Sequence, residues 1–179
     1  MMIARPSLLA VLVVAALLCG VSARPCRVGG QPSAVGMVRE ADVIVRVTPE
    51  FYVHAASDPT TEPDSRIQFK VLEVIRGEMP AGHLVLRGTL VDTDDFNDNE
   101  PPYNFVRPDG RRGSCFASSY RSSGQFVLML KRNRDGELTV NWYPLAPVNE
   151  QLRSSDDPWL RWVRKEAQKP RNTSSKEPR

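Results

Sequence analysis

Five acids crowd one stretch of this 179-residue chain, Asp92, Asp94, Asp95, Asp98 and Glu100, with Asn97 and Asn99 between them. Oxygen ligands at this density are what a hard cation such as Ca²⁺ takes, and Asp95, Asn97, Asp98 and Asn99 are the calcium candidates. The twelve-residue calcium-loop template is not met, because Glu100 stands where its glycine belongs and Val106 where its bidentate glutamate belongs. The alternative is a solvated acidic loop that contacts another protein. Asp94, Asp95, Asp98, Tyr103, Arg111 and Arg112 are then the candidate interaction surface, since loops held on a rigid scaffold carry recognition more often than strands do.

A second chemistry would use a thiol. Gly113-Ser114-Cys115-Phe116-Ala117 is similar to the Gly-Ser-Cys-Trp-Ala around the nucleophile of papain-like proteases. A thiol nucleophile needs a histidine to deprotonate it and a third group to orient that histidine. His54 and His83 both precede Cys115, whereas the papain-like order places the histidine far downstream. The two histidines also lack any Cys-x₂-Cys or His-x₃-His spacing for zinc and are expected on the surface. There is no Gly-x-Ser-x-Gly elbow and no glycine-rich phosphate loop. Neither an enzyme nor a cofactor is expected. Asp95-Phe96-Asn97-Asp98-Asn99-Glu100-Pro101 resembles the calcium linker of cadherins, but the partner motifs and tandem repeats of that family are absent.

The compartment decides what Cys115 does. Arg5, the apolar run Leu8 to Leu18, and Val21, Ser22 and Ala23 follow the order of a secretory signal cleaved after Ala23. The run is 11 residues long, and spanning a bilayer takes about 20, so residues 1–23 are expected to be removed and no membrane span is expected. Cys19 leaves with the signal, and Cys26 and Cys115 remain as an even pair in an oxidising compartment, which predicts a disulfide. The protein is expected to be secreted or periplasmic. The net charge of +3 is carried largely by the tail, so a basic nucleic-acid groove is not expected. Residues 24–166 read as one domain and 167–179 as a disordered basic tail, with a glycosylation sequon at Asn172.

The elements that must position these residues are mostly strands. Ala41 to Val47 alternates Val43, Val45 and Val47 with Ile44 and Arg46, and Phe51 to Val53 extends it. Ile67 to Ile75 is a second strand whose apolar set changes face midway, as a bulge would require. His83 to Arg87, Gln125 to Lys131 and Leu138 to Trp142 complete five strands, the last two joined as a hairpin across Asn133 to Gly136. Ala55 to Ser65 reads as a loop, and Thr89 to Gly124 as one long insertion. Trp159, Trp162 and Val163 at i, i+3 and i+4, with Asp156 or Asp157 as cap and Pro158 in the first turn, predict a C-terminal amphipathic helix.

Cys26, Ala41-Asp42-Val43-Ile44-Val45-Arg46-Val47, Phe69 to Gly77, and Cys115 ahead of Gly124-Gln125-Phe126-Val127-Leu128 together resemble the netrin-type module, which tissue inhibitors of metalloproteinases share. The resemblance implies a five-stranded OB-like β-barrel with the C-terminal helix and the long loop appended. It implies an extracellular, non-enzymatic interaction module as the function. The inhibitors of that family begin at a Cys-x-Cys whose free amine chelates the protease zinc. Here Arg24 and Pro25 precede Cys26, and Val28 replaces the second cysteine. Metalloprotease inhibition is thus an alternative that needs trimming to Cys26, and calcium-dependent adhesion or assembly is another.

Overall fold

A computed structural model describes Cys26 and residues 32–54, 65–79 and 83–170. The signal segment, nearly all of the expected Ala55 to Ser65 loop and the Asn172 sequon lie outside these residues.

The β-branched run predicted near residue 43 forms β1, Val43–His54. It is paired on both sides, antiparallel to β2 (Arg66–Arg76) and to β6 (Gln125–Arg132). Val43, Ile44 and Val45 are all buried rather than alternating, so both faces of this stretch are covered. The β1–β2 register shifts at Ile44/Val45, Arg46/Val47, Pro49/Phe51 and Tyr52/His54, so the pair bends repeatedly. Beyond β2 comes β3, Leu84–Arg87. On the far side of β6, β7 (Leu138–Val140) takes one half of the strand and β8 (Asn149–Leu152) the other. The sheet order is β3-β2-β1-β6-β7, with β8 also on β6. The short strands β4 (Thr89–Val91) and β5 (Ser119–Arg121) form a separate parallel pair.

Helix α1, Ala34–Glu40, starts at Ser33, whose Oγ accepts the Gly36 N–H at 3.2 Å. It buries Ala34, Met37 and Val38, a spacing of one helical face. Helix α2, Pro158–Ala167, is capped by Asp157, whose Oδ1 accepts the Trp159 N–H at 2.8 Å. Trp159, Leu160 and Val163 are buried, as their period predicts, and Trp162 stacks on Trp159 at 5.0 Å. Two arginine contacts fasten α2. Arg164 donates twice to Glu73 on β2, at 2.9 and 2.6 Å. Arg76 donates to the Ala167 carbonyl at the end of α2 and to the Val38 carbonyl in α1, supplying donors that helix C-termini lack. The Glu73 carboxyl is held below its usual range, chiefly by the Arg164 hydrogen bond.

The mainly β fold with a C-terminal helix is as expected, but the five-stranded closed barrel is not. Eight strands are present among the described residues, and the ends of the sheet, β3 and β7, approach within 8 Å without pairing. The Thr89 to Gly124 insertion is also more than a loop, because it holds β4, β5 and the π-type turn Gly110–Ser114. Gly88 lets this insertion close on the sheet: a Cβ there would stand 2.5 Å from the Tyr120 ring. Cys26 is bonded to Cys115, 89 positions away, which ties the N-terminal segment onto the insertion.

Candidate functional site

The acidic stretch and the arginines after it are joined by a buried side chain. Arg107 is 0% exposed. Its Nη1 meets Asp95 Oδ2 at 2.7 Å, its Nε donates to the Asn149 carbonyl at 3.0 Å, and its Nη2 donates to the Ala117 and Ser119 carbonyls at 3.1 and 2.7 Å. The guanidinium carbon lies 5.4 Å from the Phe126 ring centre and 5.7 Å from that of Tyr120. A buried guanidinium is tolerable only when this fully bonded. Asp95 completes the cage by accepting the Asp109 N–H at 3.1 Å.

Strand β8 supplies the other half. Asn149, Glu150 and Gln151 are all buried, an unusual triplet for an interior strand. Glu150 Oε1 accepts the Arg107 N–H at 3.1 Å, and Oε2 accepts from Asn97 Nδ2 at 2.9 Å. Burial pushes the Glu150 carboxyl up to about 7, against the opposing pull of Arg107. Asn149 donates to the Tyr120 hydroxyl at 3.1 Å and to the Ala117 carbonyl. Gln151 accepts the Asp95 N–H at 2.8 Å and donates to Asp94 at 2.6 Å. Chemically this is an anchor: most of these groups answer one another, the Asn149 Oδ1 being buried without a partner, and the carboxyl with the most perturbed proton affinity has no exposed surface.

The residues predicted as an interaction surface separate into two sets. Asp94, paired with Arg121 at 2.9 Å, and Asp98, paired with Arg111 at 2.5 Å, lie at the surface, as does Arg112 on the π-type turn. The Arg111 hydrogen bond holds the Asp98 carboxyl below its usual range. Asp95 instead belongs to the buried cage. Tyr103 is 2% exposed and stacks on Trp159 at 4.6 Å, and burial pushes its phenol up to about 12. The calcium candidates are engaged among themselves and with the cage. Asn97 is buried, donates to the Phe105 carbonyl, and accepts from the N–H and Nδ2 of Asn99. Among the described residues no group of three or more His, Cys, Asp or Glu side chains is placed to hold a metal ion. His54 and His83 are exposed, as expected.

A groove of about 620 Å³ lies where the sheet fails to close. Leu84, Leu86 and Val140 line it from the core side, Trp142 from one end, and Arg66 and Arg87 from the outer face. Trp142 is 36% exposed and meets Phe116, next to Cys115, edge to face at 5.6 Å. Nothing in the strand periodicity announces this groove, because it arises from the curl of the whole sheet. Arg107 was likewise missed as an anchor, since its partners are mostly backbone carbonyls. No helix among the described residues is long and apolar enough to cross a membrane. A scan against protein-family models finds no match to this chain, and a search of curated proteins finds no relative.

Proposed function

We propose that the protein is a non-enzymatic, extracytoplasmic interaction module whose curled sheet is an open variant of the OB-like, netrin-type scaffold. The observation that carries this reading is the sealing of Glu150. It is the carboxyl raised furthest toward neutrality among the described residues, where a general acid or base would be poised, yet it is 0% exposed and spent on anchoring. What the surface offers is recognition chemistry on a braced frame: Phe105 at 48% exposure, Trp142, and the Asp94–Arg121 and Asp98–Arg111 pairs. The Cys26–Cys115 bond supports an oxidising compartment.

The test is photo-crosslinking in the native host, with a photoreactive residue at Phe105 in one variant and at Trp142 in another. A discrete adduct with one extracytoplasmic protein from either position is expected. Absence of an adduct from both positions, or recovery of the chain with its signal segment and free thiols, overturns the reading.

A further inference from the structure

We propose that the Arg112–Gly113 bond, in the π-type turn Gly110–Ser114, is a processing site cut by a serine endoprotease that recognises paired basic residues, leaving two chains joined by the Cys26–Cys115 bond. This goes beyond the interaction-module reading and does not depend on it. Adjacent basic residues occur three times in the chain, as Arg111-Arg112, Lys131-Arg132 and Arg164-Lys165. A protease needs accessible backbone that can open, and a basic side chain able to enter its pocket. Lys131 and Arg132 fail on both counts. They pair with Thr139 and Leu138 in the β6–β7 ladder, and the Arg132 guanidinium donates to the Glu78 and Gly136 carbonyls at 2.6 and 3.3 Å. Arg164 and Lys165 lie within α2, where Glu73 holds Arg164. Arg111 to Ser114 are instead all exposed. No hydrogen bond or ion pair among the described residues engages the Arg112 side chain.

The backbone of the turn is equally available. Arg112 (φ −82°, ψ 21°) and Gly113 (φ 108°, ψ −16°) leave helical geometry within a single turn, and a helix this short gains little from its own hydrogen bonds. A Cβ at Gly113 would meet nothing within 4 Å, so there is room for the wall of a protease cleft. The turn hangs between two fixed points. Asp109 accepts the Ser119 N–H at 3.1 Å on one side, and the Cys115 carbonyl accepts the Leu145 N–H at 2.7 Å on the other. Unwinding between them exposes little core, since Gly110 is the buried residue of the turn, and openings of this kind lie at the low end of local stability. Arg111 adds a restraint, because its Nη2 meets Asp98 at 2.5 Å, but an exposed pair holds weakly.

The cut is a hydrolysis. The protease serine displaces the Gly113 nitrogen from the Arg112 carbonyl, and water then releases the acyl group, leaving a carboxylate on Arg112 and an ammonium on Gly113. One water is consumed, and nothing is oxidised or reduced. The pieces stay together because the fold interleaves them. Strands β1 and β4 precede the cut, and their partners β6 and β5 follow it. Arg107 reaches from the first piece to the Asn149, Ala117 and Ser119 carbonyls of the second. Cys115 stands two residues beyond the new amino terminus, so its bond to Cys26 becomes a covalent link between the pieces.

The test is the intact mass of the chain recovered from its native host, before and after reduction. One species is expected without reductant, and reduction should release a fragment ending at Arg112 and another beginning at Gly113. An uncut chain, or an internal break elsewhere, overturns the inference. In vitro, a subtilisin-like protease specific for paired basic residues should cut the oxidised chain first after Arg112 and spare Lys131-Arg132 until the protein is unfolded. Arg112→Gln should slow that cut at least about a hundredfold with an unchanged thermal midpoint, as an exposed position predicts. Asp98→Asn frees Arg111 and should speed the cut about two- to fivefold. A cut after Arg132 ahead of Arg112, or a folded chain left whole at a dose that digests the unfolded one, overturns the inference as well.

Discussion

Strand β8 buries polar side chains against the insertion, whereas the gap between β3 and β7 is floored by apolar ones. Along β8, Asn149, Glu150 and Gln151 are buried against the 92–118 insertion, whereas between β3 and β7 a groove is lined by Leu84, Leu86 and Val140. Buried polar groups demand particular partners at particular distances, so they hold the insertion in one register. Apolar groups at an open edge accept many shapes and leave the edge available. The difference separates a region built for uniqueness from one built for contact.

The comparison breaks most sharply at Arg107. Arg107→Ala takes one donor each from Asp95 and from the Asn149, Ala117 and Ser119 carbonyls, and leaves a void where a fully buried side chain stood. The expected cost is about 3–5 kcal/mol, read by denaturant unfolding. A loss no larger than that of a surface substitution would show that the polar side is not what holds the insertion.

A second test uses pH. Glu150 is raised from its ordinary 4.5 to about 7, so between those values the folded state binds more protons than the unfolded state. Stability from this group must therefore rise as pH falls from about 7 toward 4.5 and be lost on the way back, by at most about 3 kcal/mol. Glu150→Gln should flatten the thermal midpoint across this window. An unchanged slope would mean that the carboxyl is not sealed.

The smallest effect on stability belongs to the open side. Trp142→Ala should lower stability by about 1–2 kcal/mol, less than the other two, because its ring is 36% exposed and loses chiefly its contact with Phe116. A large stability loss instead would make the groove wall part of the core and blur the contrast.

The sheet core was legible because its signal is local. Val43 to Val47, Ile67 to Ile75 and Gln125 to Lys131 each carry enough β-branched or aromatic residues to declare a strand, and Trp159, Trp162 and Val163 declare α2 by their period. Helix α1 carried a signal too, in Ser33 followed by Ala34, Met37 and Val38, but seven residues are too few to stand out. Strand β8 is the opposite case: Asn149-Glu150-Gln151 has poor strand propensity, and only its partners on the insertion make it one. The acidic stretch was legible as a cluster but not as two populations. Asp95 and Asp98 differ by three positions, and nothing local says that one meets a buried arginine and the other an exposed one.

The reach of Arg76 sets an order of events. Its guanidinium holds the Val38 carbonyl in α1 and the Ala167 carbonyl at the close of α2, so the earliest and latest helices among the described residues share one clasp. During synthesis the chain emerges with α1, β1 and β2 long before residue 167 exists. Until that residue arrives, the clasp is half shut and the Trp159 face of the core stays uncovered. The clasp can close only once residue 167 has been made.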